Sequence, residues 1–180
     1  MSTIARTMNQ GLFPVRVDPL KSVEQEASYR GSVALSKMER LEDYLLDNSG
    51  EAQVEIEFGR DEQGIALLRG KCQAHVRMTC QRCMTPVEVP VSTEFELGIV
   101  FGDEQAKHLP KAYEPVLAER DELVLLPVLE DEIILSLPMF AYHEECGDHE
   151  LVQEQVEEIV PEETEAPDNP FSVLEQLKKK

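Results

Sequence analysis

Two pairs of side chains in this 180-residue chain carry the chemistry of a metal grip. Cys80 and Cys83 enclose Gln81-Arg82, and His143 and Cys146 enclose Glu144-Glu145. A spacing of three lets one tight turn aim two donors at a single cation, and two such pairs make the two-plus-two supply of a tetrahedral Zn2+ site. On this reading Cys80, Cys83, His143 and Cys146 bind zinc, with His149 as a spare donor. The competing reading takes them as ordinary small residues near a sheet edge, because 59 residues separate the pairs. A site exists only where folding brings both pairs together. A thioredoxin-type redox pair is disfavoured: it needs its first cysteine at a helix N-terminus, and here strand patterns flank both sides.

Those patterns are the elements that must position the first pair. Upstream, Cys72, Ala74, Val76, Met78 and Cys80 alternate with Lys71, Gln73, His75, Arg77 and Thr79. Downstream, Val87, Val89, Val91, Phe95, Leu97, Ile99 and Phe101 alternate with Glu88, Glu94 and Glu96. Such alternation predicts a β-hairpin with the thiols at its tip, one face buried and one wet. Tight hairpin turns normally use Gly, Asn or Asp, so two cysteines there call for a chemical reason. Val54, Ile56 and Phe58 against Glu55 and Glu57, ended by the Asp61-Glu-Gln-Gly64 turn, add a strand before it. For the second pair, Leu126, Leu129, Ile133, Ile134 and Leu137 form one helical stripe, which Pro127 can open and Pro138 must stop. A helix from about Pro127 to Leu137 then hands the chain to His143, with Glu130-Asp131-Glu132 as its solvated face.

Nearer the start, Gly11 to Asp18 reads as a short edge strand holding Pro14, and Tyr29 to Leu35 as a second strand. Ser36 and Glu39 have the capping-box spacing, and Met38, Leu41, Leu45 and Leu46 follow it, which predicts a helix from about Lys37 to Leu46. Residues 102–115 read as a loop. The fold class is α+β: a twisted antiparallel β-meander packed by two or three helices in a single domain, residues 1–148. A flexible acidic linker follows over 149–168, then a short amphipathic helix over 169–180. In that helix Asn169 caps, Pro170 opens the first turn, and Phe171, Leu174 and Leu177 share one side. Those three apolar residues are candidates to bind a partner, or else to pack on the protein's own body.

Charge narrows the partners. The formal net charge is −19, and Glu144 to Asp168 holds eleven acids with no Lys or Arg; the remainder keeps 25 acids against 17 bases. An acidic body argues against wrapping nucleic acid by charge alone and points to basic partners such as ribosomal proteins. The first residues hold no unbroken apolar core of a signal peptide, and no run of about 18 apolar residues occurs. The expectation is a cytoplasmic protein without a membrane partner, whose four cysteines stay reduced. Within this acidic chain Arg69, Lys71, His75 and Arg77, with Arg82 at the tip, form a basic stripe on the wet face. It has two readings: a seat for an RNA backbone, or cross-strand partners of Glu55, Glu57, Glu88, Glu94 and Glu96. No Ser-His-Asp order, Gly-rich phosphate loop or pair of catalytic carboxylates stands out, no small-molecule substrate is evident, and catalysis is disfavoured.

Several motifs recur in a recognisable order: Cys80-Gln-Arg-Cys83, Leu109-Pro110-Lys-Ala-Tyr113-Glu114-Pro115, Leu129 through Leu137-Pro138, His143, Cys146, and Asn169-Pro170-Phe171 with Leu174 and Leu177. In that order, from about Phe13 to the C-terminus, the chain resembles the YceD family of large ribosomal RNA subunit accumulation proteins. The resemblance implies a non-enzymatic factor for synthesis, processing or accumulation of 23S ribosomal RNA in the bacterial cytosol, hence large-subunit biogenesis. It brings no catalytic residue with it. Two routes fit: direct contact with 23S ribosomal RNA or its precursor through Arg69, Lys71, Arg77 and Arg82, or retention of a basic large-subunit ribosomal protein or assembly factor by an acidic module.

Overall fold

The computed structural model describes residues 8–10 and 13–146. The expected linker at 149–168, the C-terminal helix with Phe171, Leu174 and Leu177, and the spare donor His149 lie outside the described residues.

Four central strands realise the alternation read from the sequence: β3 (Ser28–Ala34), β4 (Glu51–Arg60), β5 (Ala66–Thr79) and β6 (Pro86–Val100). Each pairs antiparallel with the next, so they form a meander. Both flanks differ from the expected pattern. A first strand β1 (Met8–Gln10) joins β3 in parallel, and β7 (Glu114–Leu117) joins β6 in parallel, giving a six-stranded sheet in the order β1-β3-β4-β5-β6-β7. The expected strand over Gly11 to Asp18 is reduced to β2 (Arg16–Val17), which pairs with β8 (Leu123–Val124) in a separate small sheet.

Helix α3 (Leu125–Ser136) forms where the apolar stripe predicts it and buries Leu125, Leu129 and Ile133 completely. These side chains close over the inner face of the sheet, where Val54, Ile56, Leu68, Cys72 and Val76 are also buried. Each such large apolar group contributes about 1.5–3 kcal/mol on burial. Cys72 is a core thiol, and burial pushes it up to about 11. Two short helices were not foreseen. One, α1 (Pro19–Glu24), is capped by the Asp18 carboxylate on the Lys21 amide at 3.0 Å with Pro19 in the first turn; the other, α2 (Asp103–His108), lies in the stretch read as a loop.

The expected helix from Lys37 to Leu46 is absent. In its place are two 3₁₀ turns, Leu35–Lys37 and Leu41–Tyr44, and Ser36 makes no capping bond. The buried residues are Leu35, Met38 and Leu41, a strict three-residue repeat that fits 3₁₀ geometry as well as an α-helix. Glu130 decides between them. Its carboxylate accepts from the amides of Arg40 (2.5 Å) and Leu41 (3.1 Å) and from Arg40 Nε (2.9 Å). Those amides are thereby claimed from outside the segment. Glu130 is 6% exposed, so it is not part of a solvated helix face as read from the sequence, although neighbouring Asp131 is exposed.

Candidate metal centre

The β5–β6 hairpin is long, 14 and 15 residues, and its far end is built from the first cysteine pair. The Cys80 amide donates to the Thr85 carbonyl and the Met84 amide to the Cys80 carbonyl, both at 2.9 Å, so a short loop closes over Cys80. Met84 closes it in the left-handed region (φ 58°), a conformation that side chains other than Gly and Asn enter at a cost of about 1–2 kcal/mol. That places the Cys83 thiol beside the Thr85 hydroxyl at 3.1 Å and turns both sulfurs to one side.

The second pair arrives from α3. Its last turn closes with the Leu137 amide on the Ile134 carbonyl, Pro138 prevents continuation, and the chain runs back beside the hairpin tip. Ala141 forms a parallel bridge with Cys80, and the Gln81 amide donates to the Ala141 carbonyl at 2.9 Å. Cys80, Val87 and Ala141 make a small buried cluster there.

All four sequence-identified donors meet: the ligand atoms of Cys80, Cys83, His143 and Cys146 lie within 4.8 Å of one another. Cys80 Sγ is 3.5 Å from Cys146 Sγ, and His143 Nδ1 is 3.3 Å from Cys83 Sγ and 3.9 Å from Cys146 Sγ. A tetrahedral zinc site with Zn–S of about 2.3 Å and Zn–N of about 2.0 Å sets its donors about 3.5–3.8 Å apart, so the spacings fit. The outer ring nitrogen supports the same geometry. His143 Nε2–H donates to the Pro86 carbonyl at 3.0 Å, which leaves Nδ1 unprotonated toward the sulfurs.

The electrostatics suit anionic sulfur. Burial pushes Cys80 upward, but the amides of Cys83, Arg82 and His143 aimed at its sulfur outweigh that and bring it down to about 5. Cys83 is lowered by the Thr85 hydroxyl and amide. His143 is raised by the Cys80 and Cys83 sulfurs it faces, while Cys146 is raised, first by burial and then by the neighbouring sulfurs.

The basic stripe is placed quite differently. Arg69 pairs with Glu96, Lys71 with Glu94 at 2.7 Å, and Arg77 with Asp47 at 2.6 Å. Arg69 and Lys71 thus follow the cross-strand register, Arg69↔Glu96 and Lys71↔Glu94. Arg82 is exposed at the tip and has no ion pair among the described residues. Sequence reasoning missed the supports of the centre: the Pro86 carbonyl, the Thr85 hydroxyl and the Ala141 backbone. Only the position of Pro138 hinted at the last, by forcing the chain out of the helix just before the second pair.

Fold and site together define a class of protein: an α+β domain whose longest hairpin ends in a Cys3His cluster with tetrahedral spacing. The chain belongs to the YceD family, whose model, described as "Large ribosomal RNA subunit accumulation protein YceD", matches residues 68–178. A Haemophilus influenzae protein of the same name is 36% identical over 174 residues, covering 96% of this chain and 100% of the relative. No solved structure matches the chain. Among the described residues no helix is long and apolar enough to cross a membrane.

Proposed function

We propose that this chain is a non-enzymatic factor supporting accumulation of large-subunit (23S) ribosomal RNA in the cytoplasm, and that a Zn2+ ion held by Cys80, Cys83, His143 and Cys146 organises its working end. The role comes from the family and from what its Haemophilus influenzae member is named for. What carries the metal is the convergence of four donors within 4.8 Å from two segments far apart in the chain. Three sulfurs and one imidazole are a donor set that favours zinc, and with four protein ligands the ion has no open position for chemistry. Its effect is structural: it fastens residues 139–146 to the hairpin tip.

The mode of action is contact with a basic protein rather than with phosphate. Arg69, Lys71 and Arg77 are already neutralised by Glu96, Glu94 and Asp47, which leaves little positive field to release counterions from RNA. The exposed Arg82 favours the second reading, direct RNA contact at the tip. Measuring 23S against 16S ribosomal RNA in cells lacking the chain tests the role. The ratio falls, the intact chain restores it, and Cys80→Ser with Cys146→Ser does not; an unchanged ratio on deletion overturns the role. In vitro, Arg77→Glu with Arg82→Glu leaves binding to 23S fragments unchanged. A loss of affinity with a flatter salt slope establishes the RNA reading instead.

A further inference from the structure

Exposed large apolar side chains are not spread evenly over this molecule. Among the described residues ten are well exposed, and six of these sit at the metal-centre end: Tyr44, Leu46, Met84, Met139, Phe140 and Tyr142. Met139 is 87% exposed and Met84 70%. A single exposed apolar residue needs no explanation, but a concentration at one end of a sheet does.

The backbone shows how they come to lie at this end. Before Gln53, strand β4 no longer covers its neighbour, and the freed edge of β5 beyond Gln73 is taken up by two other segments. Asp47 bridges Arg77, with the Leu46 amide on the Arg77 carbonyl at 2.8 Å. Three residues on, Ala141 bridges Cys80. A strand rises about 3.3 Å per residue, so the two segments stand about 10 Å apart along one edge. Ala141 is buried against Cys80 and Val87, and period-two alternation sends its neighbours Phe140 and Tyr142 together to the opposite, outward side. Asp47 stands with Arg77 on the wet face, so Leu46 falls on the other face, and Tyr44 closes a 3₁₀ turn; the shared outward side is built on Phe140 and Tyr142.

The charge around these groups is negative. The segments 41–47, 77–88 and 139–146 that form this end carry Glu42, Asp43, Asp47, Glu88, Glu144 and Glu145, against only Arg77 and Arg82, and Arg77 is committed to Asp47. Methionine and aromatic groups within an acidic rim repel a phosphate backbone and suit a polypeptide with an apolar stripe and flanking Lys or Arg.

We propose that this end is the docking surface for a basic, amphipathic polypeptide segment. Phe140, Tyr142 and Met84 receive its apolar anchors, while Glu88, Glu144 and Glu145 meet its cations. The inference rests on the protein-contact reading above and names the surface and partner class it uses. The centre supplies the rigidity, since residues 139–146 hold Phe140 and Tyr142 in place only while His143 and Cys146 are fastened to the tip.

The test uses the full chain in cells, with a photoreactive phenylalanine analogue at Phe140 or Tyr142, and at exposed Leu117 on β7, which pairs with the opposite end of β6, as control. The expected result is crosslinking at positions 140 and 142, at least tenfold above position 117, to peptides carrying net positive charge and two or more apolar residues at helical spacing. Crosslinks to RNA, to a second copy of this chain or to acidic segments, or yields no higher than the control, overturn the proposal. In parallel, Phe140→Ser with Tyr142→Ser is read by the 23S-to-16S ratio, with its fold checked by circular dichroism. Loss of 23S ribosomal RNA in the folded variant supports the surface. A normal ratio, where deletion of the chain lowers it, overturns the surface and leaves the ribosomal role standing; no effect even on deletion overturns that role.

Discussion

Replacing Glu130 separates a helix residue that faces water from one that clamps two parts of the fold. Its Oε1 receives the amides of Arg40 and Leu41, and its Oε2 receives Arg40 Nε. Glu130→Ala removes both acceptor oxygens and so all three hydrogen bonds. The Leu41 amide, in a residue that is fully buried, then lacks a partner, at about 1–3 kcal/mol. Arg40 is half exposed (52%), so its own amide and guanidinium recover water and add only about 1 kcal/mol between them. The total is about 3 kcal/mol, roughly a 10 °C fall in Tm for a domain of this size. Glu130→Gln keeps an oxygen toward the two amides and loses only the screened contact to the guanidinium, so its cost is about 1 kcal/mol. Thermal unfolding of full-length protein at constant metal content, followed by circular dichroism, measures both. A Glu130→Ala variant melting within about 2 °C of the parent, as expected for a solvated surface site, refutes the clamp; so does a Gln variant as damaged as the Ala one.

Two further substitutions probe the sheet. A Cβ added at Gly70 falls 2.0 Å from Phe95 Cζ, so Gly70→Ala must displace that ring. It is expected to cost about 1–2 kcal/mol, and clearly less in a Phe95→Val background; additive costs refute the contact. Asp47 is held below its ordinary value of 3.8 by the Ser49 hydroxyl and amide, then by Arg77. Its folded pKa being depressed, its contribution is present above about pH 4 and disappears as pH falls through the folded value. The Tm difference between the parent and Asp47→Asn is therefore expected in full at pH 6 and shrinks progressively as acid is added below about pH 4; a difference that persists undiminished or grows in acid contradicts the assignment.

How much of this was legible in the sequence follows from where each cue resides. The hairpin and its tip were readable because period-two alternation and C-x-x-C are local signals, and α3 because Leu125 to Ser136 carries a stripe with prolines at both ends. The second ligand pair was readable as spacing, but its meeting with the first depends on the Cys80–Ala141 bridge, which no local pattern encodes. The segment after Leu35 misled because a three-residue apolar repeat serves 3₁₀ and α geometry alike; the arbiter, Glu130, lies 90 positions from Arg40. The parallel pairings of β1 and β7 depend on partners distant or separated by a helix. Glutamates opposite Arg69 and Lys71 were visible, and the register made them partners. The outward turn of Phe140 and Tyr142 was not visible, since an apolar run after a helix stop reads equally well as core.

The metal is the account's most exposed claim, and elemental analysis of full-length, untagged protein purified without chelator tests it most directly. About one zinc per chain is expected, and almost none in Cys80→Ser with Cys146→Ser. A folded parent protein carrying less than about a tenth of an equivalent contradicts it.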